Sequence, residues 1–525
     1  MLFWEKWAFI EMVIPVFNMP LNNSPYSITI EDLKSLLKND VDGNLVPLIQ
    51  KINTENETPV SIYSKVATQP YSFLFESVEG AERIARYSFI GIKPYEIIKT
   101  GAGQAYGSVD PLKLIEKKLS NRKVVEQFKS NRFDGGAVGY ASYETASYFE
   151  DLPVAKQDKL NLPESVFMFF NTYIMFDHID NSISIVSHID IDEDIETSYA
   201  EAVDSIESVI GLLSNDVVKK ERFLNQAINR NQSISDDKSL PIVNFDGVNA
   251  TVNIDKDYYK YALNKIKEYI YEGDCIQVVF SQRFSLSTVA DPLDIYRSLR
   301  EVNPSPYMFF LDLKDFQIVG ASPEMLVRCV DNKIDYHPIA GTRRRGLDSE
   351  EDDKIAVELL TDEKELAEHI MLVDLGRNDV GRVSNPGSVE VTQLMEVELY
   401  SHVMHIVSHV TGFLKSGLSC YDAFRSCFPA GTVSGAPKIR AMEILSELEP
   451  VKRGPYSGAV GYFSFSGNMD TCIALRTLVI KDSIAHVQAG GGIVADSNID
   501  DEYEETINKA SAVMKAIKLA ELNDK

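Results

Sequence analysis

Apolar and polar residues follow two different periods along this chain. The segment SISIVSHIDI alternates apolar and polar positions, which is typical of a strand. The segments YYKYALNKIKEYIYEG and KELAEHIMLVDLGRND follow the helical period, whereas IQVVFSQRFSL, which comes between them, is again strand-like. The pattern therefore predicts a mixed fold of the α/β or α+β type, with β-sheets flanked by helices.

Two of the predicted helices carry glutamates at the same spacing. Glu365 and Glu368 are three residues apart in one, and Glu502 and Glu505 are three residues apart near the C-terminus. Residues at this spacing share one face of a helix. The apolar stripes expected beside these faces are Leu366, Ile370 and Val373 in the first helix, and Tyr503, Ile507, Ala510, Met514 and Ile517 in the second. Either pair alone is explained by a solvated helix face, but two pairs brought together would make an oxygen-rich site suited to Mg²⁺.

The clearest change of composition along the chain is a polar stretch, NQAINRNQSISDDKSLPIVNFDGVNA, at 225–250. It predicts a linker at 226–250 between an N-terminal region, 51–225, and a C-terminal domain, 251–522. The first 50 residues form a separate segment without a predicted role. A short echo, GGAVGYASYE at 135–144 and SGAVGYFSFS at 457–466, predicts a similar glycine-started strand in both regions.

Composition narrows the class of function. The chain has 525 residues, 44% of them hydrophobic, so it can bury a large core. Its formal net charge of −26 disfavours nucleic acid and anionic membrane surfaces as partners. Five scattered cysteines without a Cys-x-x-Cys pair favour a reducing compartment. The apolar opening MLFWEKWAFIEMVIPVF is interrupted by charges and predicts neither a signal peptide nor a membrane span, so a cytoplasmic location is expected.

Several apparent motifs carry little weight. The glycines of GAGQAYG at 101–107 have the wrong spacing for a dinucleotide fingerprint and predict a turn. The sequence contains no HExxH, P-loop or nucleophile elbow. His402, His405 and His409 have helical spacing, but the segment that carries them fits a strand or a buried helix equally well, and packed or solvated histidines are the simpler interpretation.

The second half of the chain carries a series of longer motifs in a fixed order. They are GDCIQVVFSQRF, NPSPYMFF, GASPEMLVR, HPIAGTRRRG, DEKELAEHIMLVDLGRNDVGRV, SHVMHIVS, FPAGTVSGAPKIRAM, GPYSGAVGYF, TCIALRT, VQAGGGIVADS and EYEETINKA. Together they resemble the chorismate-utilising enzymes and, within them, the anthranilate synthase component I family, over nearly all of residues 255–520. Residues 60–190 match more loosely, through YSFLFESVEG, RYSFIG and FDGGAVGYASYE.

The resemblance implies a two-lobed chorismate-binding fold with a magnesium site. It implies that Glu368 and Glu505 bind Mg²⁺ directly and that Glu365 and Glu502 hold its coordinated waters. Chorismate carries two carboxylates, one of which the ion would bridge to this acidic protein. The other would meet Arg476, which offers a bidentate fork. The remaining substrate contacts implied by the resemblance are Gly341, Thr342, Thr432, Tyr456, Gly490, Gly491, Gly492 and Lys509.

The resemblance also assigns catalytic roles. Glu324 matches the general acid that protonates the departing ring hydroxyl, which requires a raised pKa. His405 matches a histidine linked to proton removal and loss of pyruvate. Relatives that hydrate chorismate carry a lysine where this chain has Gln277, and aminodeoxychorismate synthases carry a nucleophilic lysine where this chain has Ala340. These two positions favour amination at ring carbon 2 and release of anthranilate. The alternatives are aminodeoxychorismate synthase component I and a catalytically silent, tryptophan-binding regulatory homologue.

Two kinds of partner are implied. None of the five cysteines lies in the Gly-x-Cys-x-Gly turn of class I glutaminases, so a separate glutamine amidotransferase subunit would supply ammonia within a hetero-oligomer. The N-terminal region resembles the part of the family that helps to form a site for the feedback inhibitor tryptophan. The inhibitor contacts implied are Glu76, Ser77, Pro306, Tyr307, Met308 and Cys472. Phe75 replaces the leucine usual in this motif.

Overall fold

The computed structural model describes residues 24–53, 57–78, 86–130, 132–153, 157–214, 240–400 and 403–523. His402, the opening apolar segment and residues 226–239 of the expected linker lie outside these ranges. The helices are α1 Ile30–Leu36, α2 Pro59–Val66, α3 Pro111–Leu119, α4 Ile195–Leu213, α5 Lys256–Tyr271, α6 Pro292–Val302, α7 Ser349–Leu359, α8 Glu363–Val383, α9 Cys420–Cys427, α10 Gly431–Ser434, α11 Lys438–Leu448 and α12 Ile499–Asn523.

The strands are β1 Leu45–Asn53, β2 Ser72–Glu76, β3 Tyr87–Gly91, β4 Glu96–Thr100, β5 Gly136–Ala141, β6 Ser165–Phe170, β7 Thr172–Asp177, β8 Ser182–Asp190, β9 Ile242–Phe245, β10 Val248–Val252, β11 Gln277–Ser287, β12 Tyr307–Asp312, β13 Phe316–Ser322, β14 Met325–Val330, β15 Lys333–Tyr336, β16 Ile339–Arg344, β17 Glu390–Leu399, β18 Val403–Phe413, β19 Gly435–Ala436, β20 Ala459–Ser464, β21 Met469–Ile473, β22 Thr477–Lys481 and β23 Ile484–Ile493.

Local sequence signals explain where several helices begin. The side chains of Asp291 and Asp362 accept hydrogen bonds from the free backbone N–H groups of α6 and α8. Proline occupies the first turn of α2, α3 and α6, where its missing N–H costs no hydrogen bond. Thr29 and Asp32 form a capping box at the start of α1.

The strands form two large antiparallel sheets. The first has thirteen strands in the order β1-β8-β7-β3-β2-β12-β13-β22-β23-β11-β10-β9, with β19 beside β11. The second has ten strands in the order β16-β18-β15-β14-β21-β20-β5-β6-β4, with β17 beside β18. Each sheet takes strands from both the N-terminal and the C-terminal region, since β2 pairs with β12 and β5 pairs with β20.

The pairing of β5 with β20 explains the echo in the sequence. The two Gly-Ala-Val-Gly-Tyr segments lie side by side in antiparallel register, with Gly139 opposite Gly461. A Cβ atom at Gly139 would stand 1.9 Å from the carbonyl oxygen of Val166, and one at Gly461 would stand 2.2 Å from that of Asp470. Glycine is therefore required at both positions by the close approach of neighbouring backbone. The prediction of similar strands is confirmed.

The two sheets pack face to face, and helices cover the outer face of each, so the fold has four layers. An aromatic cluster fills the space between the sheets, where the rings of Phe73 and Phe170 lie 5.1 Å apart and those of Phe133 and Tyr173 lie 4.9 Å apart. Helices α2, α4, α6 and α12 cover the outer face of the first sheet, and α3, α8 and α9 cover that of the second. The mixed helix-and-sheet fold predicted from the sequence is confirmed.

Both sheets contain strands from the predicted N-terminal region, 51–225, and from the predicted C-terminal domain, 251–522. Of the expected linker, residues 242–245 and 248–250 belong to the β9–β10 hairpin at the edge of the first sheet. Of the first 50 residues, those from Leu45 onwards are in β1. The division of the chain into regions stays a prediction. Across the described ranges, no helix combines the length and the apolar character needed to cross a membrane.

Candidate active site

A cavity of about 570 Å³ opens where β11 and β23 meet α8, α12 and β16. Its volume is that of a typical small-molecule site. Its lining includes Gln277, Glu324, Ala340, Gly341, Thr342, Glu365, Glu368, Thr432, Tyr456, Arg476, Gly490, Gly492, Glu502, Glu505 and Lys509. Most residues that the sequence analysis assigned to catalysis, substrate or metal therefore meet in one place, although they are spread over more than two hundred positions of the chain.

Helices α8 and α12 each present their glutamate pair to the cavity. The stripe expected in α12 is buried, with Ala510, Met514 and Ile517 fully inaccessible. The stripe expected in α8 is wrong at Ile370, which is 50% exposed. The buried face of α8 runs instead through His369, Leu372, Val373, Gly376 and Val380. Here tertiary packing selected a face with a histidine and a glycine over the more apolar alternative.

Each of the four carboxylates has a partner within the protein. Glu365 accepts from Arg343 Nη1 at 3.0 Å, and Glu368 accepts from Gln277 Nε2 at 2.8 Å. Glu502 Oε1 accepts from Ser497 Oγ at 2.7 Å, and Glu505 Oε1 lies 2.6 Å from Lys509 Nζ. The described residues contain no group of three or more His, Cys, Asp or Glu side chains already arranged to hold a metal ion. The carboxylates thus share one cavity, in which Glu365 and Glu505 pair with cations while Glu368 and Glu502 accept from neutral side chains.

The carboxyl group of Glu502 carries one unsatisfied atom. Its Oε2 is buried and has no hydrogen-bond partner within the described part of the chain. Burial raises the pKa of Glu502, and the neighbouring Glu505 raises it further. A buried oxygen without a donor is destabilising by about 1–3 kcal/mol. The Oε2 of Glu502 and the other carboxylate oxygens of the cavity fit a hard divalent cation such as Mg²⁺, which takes carboxylates and waters as ligands.

Glu324 lies between β13 and β14, at the wall of the cavity. Burial raises its pKa to about 8, while the hydroxyl of Thr432 and the charges of Arg476 and Lys509 offset only part of this shift. The backbone carbonyl of Glu324 accepts from Ile473 N at 3.1 Å, which fixes the residue to the strand that precedes Arg476. Glu324 is therefore a carboxyl group that stays protonated at neutral pH, as a general acid must.

His405 lies directly behind the cavity wall rather than in its lining. It sits on β18, a strand, which resolves the ambiguity left by the histidine spacing. Its Nδ1 lies 3.0 Å from the carbonyl oxygen of Gly341 and 3.0 Å from Thr342 Oγ1. Burial lowers the pKa of His405. A neutral imidazole that donates from Nδ1 to a carbonyl keeps its lone pair on Nε2, where it can accept a proton.

His409, four residues further along the same strand, does not take part in this site. Its Nε2 lies 3.0 Å from Asp335 Oδ1, and neither side chain belongs to the lining of the cavity.

The run of glycines on β23 keeps the cavity open towards the backbone. A Cβ at Gly490 would lie 3.0 Å from Tyr456 Oη, and one at Gly492 would lie 2.5 Å from Gln277 Nε2. Gly491 is not in the lining, but a Cβ there would lie 2.9 Å from Glu502 Oε2. A side chain at Gly490 would also meet the carbonyl oxygen of Phe280 at 2.8 Å, so the close approach of backbone requires glycine there. At Gly491 and Gly492 a side chain would displace the ends of Glu502 and Gln277.

Arg476 combines a cavity position with an unusual backbone. Its φ is +45°, in the left-handed region that non-glycine residues rarely adopt. Its charge lowers the pKa of both Glu324 and His405, so the guanidinium lies near both groups. Thr432 Oγ1 is buried in the same wall, where it acts on Glu324 and lowers the pKa of that carboxyl group. The donors and charge in this part of the wall suit an anionic ligand.

Sequence reasoning missed other members of the site. Lys364 and Gln488 line the cavity, and Arg343 holds Glu365 from behind. Gln488 lies two residues before the glycine run, and strand alternation places it on the same face as Gly490 and Gly492. That spacing could have identified it. Lys364 and Arg343 carry no such signal, since charged residues beside acidic helices are common on surfaces.

A second, smaller cavity of about 80 Å³ lies elsewhere, between β2, β12 and β21. Its lining contains all six residues assigned to the inhibitor: Glu76, Ser77, Pro306, Tyr307, Met308 and Cys472. Glu76 Oε1 lies 3.4 Å from Arg300 Nε, and its Oε2 accepts from the hydroxyl of Tyr296. Ser77 Oγ is buried without a partner in the described ranges. Sequence reasoning missed Arg328 and Asp470, which also line this cavity.

Comparison with known proteins agrees with this geometry. A model of the family described as chorismate binding enzyme matches residues 70–515. Anthranilate synthase component 1 of Acetivibrio thermocellus is 43% identical over 502 residues, which cover 94% of this chain and 98% of that protein. The protein of the same name from Pseudomonas putida is 45% identical over 494 residues, or 92% of this chain and 97% of that one.

Solved structures lead to the same assignment. Anthranilate synthase component I from Streptococcus pneumoniae TIGR4 superposes with a TM-score of 0.67 and 35% identity, covering 88% of this chain and all of that one. A menaquinone-specific isochorismate synthase from Escherichia coli, at 15% identity and a TM-score of 0.64 over 93% of this chain and 98% of that one, shares the fold alone. The chain therefore belongs to the chorismate-binding enzymes and, within them, to the anthranilate synthase component 1 group.

Proposed function

We propose that this enzyme converts chorismate and ammonia into anthranilate and pyruvate, as the large component of an anthranilate synthase. The observation that carries the proposal is the buried, protonated Glu324 in a cavity that also holds four carboxylates, Arg476 and a run of glycines. The cavity is large enough for a small aromatic precursor. Its mixture of acid, cationic and backbone donors suits a substrate with two carboxylates.

The first chemical step is amination at ring carbon 2. Ammonia attacks that carbon, the ring double bonds shift, and the hydroxyl at carbon 4 leaves with the proton of Glu324 as water. The pKa of about 8 keeps this proton in place at neutral pH. Gln277 occupies the position at which hydrating relatives carry lysine, and an amide cannot deprotonate water at neutral pH. The nucleophile is therefore ammonia rather than water.

The second step restores the aromatic ring. Removal of the proton from carbon 2 and cleavage of the bond to the enolpyruvyl oxygen release pyruvate. His405, neutral and held through Nδ1 by the Gly341 carbonyl, keeps a basic Nε2 behind the wall formed by Gly341 and Thr342, so this role requires substrate binding to bring the histidine into contact with the ring. Ala340, which lines the cavity, has no amine that could form the covalent adduct leading to amination at carbon 4. The product is anthranilate.

The chain's residues also fit a magnesium ion. Glu368 and Glu505 would hold it directly, and Glu365 and Glu502 would hold its waters, with the unpartnered Oε2 of Glu502 as one acceptor. When bound, the ion supplies positive charge that offsets repulsion between a substrate carboxylate and these glutamates. Arg343 and Lys509 balance the same carboxylates from the protein side.

The second cavity supports feedback inhibition by tryptophan. Glu76 is buried with its Oε1 3.4 Å from Arg300 Nε, and Ser77 Oγ is buried without a hydrogen-bond partner in the described ranges. A carboxylate and a hydroxyl side by side suit an amino acid's ammonium group. Tyr307 and Met308 supply an aromatic ring and a thioether suited to an indole. Strand β21 runs from this cavity to the backbone of Glu324 and then to Arg476, and Tyr307 at the start of β12 is paired with Ser322, two residues before Glu324. A ligand with different affinity for two arrangements of these strands would therefore change catalysis.

The chain alone does not explain where ammonia comes from. Because none of its cysteines has the setting of a glutaminase nucleophile, a separate glutamine amidotransferase subunit would deliver it. All five cysteines are buried, which is consistent with that absence of a catalytic thiol.

The decisive experiment uses the purified chain with chorismate, Mg²⁺ and an ammonium salt at mildly alkaline pH, not above about 8, so that Glu324 keeps its proton in part of the molecules. Anthranilate is identified by its fluorescence, retention time and mass. Formation of isochorismate or 4-amino-4-deoxychorismate instead would contradict the assignment of Gln277 or Ala340. Absence of any product would contradict the proposed reaction.

A further inference from the structure

A buried arginine outside the catalytic cavity, Arg453, donates hydrogen bonds to three segments of the cavity wall. Arg453 follows α11 and has a side-chain exposure of 1%. Its Nε and Nη2 donate to the two oxygens of Glu449, each at 2.7 Å. Its Nη1 donates to Val433 O at 2.7 Å and to Ser457 Oγ at 3.3 Å, and Nη2 donates again to Val279 O at 2.6 Å. A guanidinium has five N–H groups, and all five are used here.

The acceptors of these bonds belong to the cavity wall or adjoin it. Val279, on β11, and Val433, in α10, both line the cavity. Ser457 directly follows Tyr456, which lines it as well, and the Arg453 guanidinium lies 5.7 Å from the Tyr456 ring centroid. Of these acceptors, Val279 is 174 positions from Arg453, Val433 is 20 and Ser457 is four. Their common contact is one side chain that does not itself line the cavity.

Glu449 extends the connection to a fourth part of the wall. Its Oε1 accepts from Ser281 N at 3.0 Å and from Ser281 Oγ at 2.7 Å. Ser281 Oγ in turn accepts from Gln488 Nε2 at 2.8 Å. Gln488 lines the cavity two positions before Gly490. The pair Arg453–Glu449 is therefore linked through hydrogen bonds to β11, α10, the loop before β20, and β23.

The energetics of the pair indicate a role other than stability. Burial opposes the charge on Arg453, but the Glu449 carboxylate more than offsets this and holds the pKa of Arg453 above its ordinary value. Buried ion pairs contribute little net stability compared with apolar side chains of similar size. What such a pair provides is a fixed direction for each of its hydrogen bonds.

We propose that Arg453 and Glu449 are positioning residues, which hold the wall formed by Val279, Thr432–Val433, Tyr456 and Gln488 in the geometry that binds the substrate. Neither side chain touches the cavity, so neither is a catalytic residue. The inference rests on the proposed function for the identity of the substrate, chorismate, and for nothing else.

The test compares Arg453→Lys with a matched control. Lysine keeps the charge but has three donors, so at least two of the five hydrogen bonds are lost. We expect the KM for chorismate to rise tenfold or more, with kcat reduced by less than threefold, because the wall binds substrate rather than moving protons. The control is Arg440→Lys on α11, whose partners Asp274 and Glu443 are partly exposed and do not line the cavity. Its KM should match that of the wild type.

A milder variant decides the question if Arg453→Lys does not fold. Ser281→Ala removes the hydroxyl between Glu449 and Gln488 with little change in volume, and we expect a KM increase of severalfold in the folded variant. A purely structural role would lower melting temperature and active fraction without changing KM. A wild-type KM in folded Arg453→Lys, or in Ser281→Ala where the first variant fails to fold, would overturn the inference.

Chorismate binding by calorimetry, measured beside turnover, separates the two proposals. If the wild type binds chorismate but makes no anthranilate, the proposed reaction fails and the Kd values replace KM in the same comparison. If the wild type makes anthranilate and the variants keep its KM, only the positioning role fails. If the wild type binds no chorismate at all, both fail.

Discussion

The catalytic cavity and the second cavity are each built around a buried glutamate, but they differ in size and in charge. The catalytic cavity measures about 570 Å³ and holds four further carboxylates besides Glu324. The second measures about 80 Å³ and is lined mainly by aromatic and apolar side chains around Glu76. The first has room for a substrate and its co-reactants, whereas the second would have to adjust around a single ligand.

The different surroundings of Glu324 and Glu76 give these two buried carboxyl groups different chemical properties. Burial raises the pKa of both Glu324 and Glu76. Glu324 is opposed only by a hydroxyl and by the charges of Arg476 and Lys509, and its pKa reaches about 8. Glu76 is in direct contact with the Tyr296 hydroxyl and the Arg300 guanidinium. The first is therefore suited to giving a proton, and the second to holding a cationic group.

The largest effect on activity is expected from changing the glutamates that line only the catalytic cavity. Glu368→Gln or Glu505→Gln should abolish Mg²⁺-dependent turnover, because each removes an anionic ligand with little change in volume. The fold and tryptophan binding at the second cavity should be unchanged, as measured by circular dichroism and calorimetry. Glu504→Gln, at a neighbouring position with a side-chain exposure of 61%, is the control. Activity within threefold of the parent for both test variants would contradict the metal assignment.

The second largest effect is expected from replacing Glu324, which tests whether this residue donates a proton. Glu324→Gln removes the proton donor and should lower kcat by about a hundred- to ten-thousandfold. Because its folded-state pKa of about 8 lies above the ordinary 4.5, the wild-type acid is present below pH 8 and is lost as pH rises through that value. The wild-type kcat should therefore decline above pH 8. The residual kcat of the variant should not decline above pH 8. The same alkaline decline in both proteins would show that a group other than Glu324 causes it.

A smaller effect is expected at the second cavity. Ser77→Phe fills the space beside Glu76 and should weaken tryptophan inhibition tenfold or more while leaving uninhibited turnover within twofold. Inhibition curves and calorimetry with tryptophan measure this, with exposed Ser120→Phe as the control. If tryptophan from micromolar to millimolar concentrations neither binds the wild type nor slows it, the regulatory assignment is wrong even where the catalytic one holds.

The smallest effect concerns the choice of product. Ala340→Lys places an amine in the catalytic cavity and should lower anthranilate formation several-fold through competition with ammonia. Ala340→Met, of similar length without the amine, separates this competition from steric crowding. Mass and chromatography identify the products. An equal loss in the lysine and methionine variants would show that bulk, rather than the nucleophile, is responsible.

The sequence by itself determined the elements and most of the chemistry. Helices α5 and α8, and strands β8 and β11, follow from periodicity, because a helix or strand must bury one face. Spacing identified the two glutamate pairs, and the resemblance of the ordered motifs to a known family implied the other residues of both cavities. The buried setting that Glu324 needs was expected from its role, and the structure provides it.

The tertiary structure alone decided which parts of the chain meet. Local sequence does not specify that β5 pairs with β20, that each sheet mixes strands of both regions, or that α8 exposes Ile370 while burying His369. These outcomes depend on contacts between residues tens to hundreds of positions apart, where many pairings satisfy the same local pattern. The hydrogen bonds of Arg453 combine near and distant partners, because Glu449 and Ser457 are four positions away, Val433 is 20 and Val279 is 174. In sequence it is one of many charged residues, and only the packing that buries it beneath the cavity wall gives it acceptors on three separate segments.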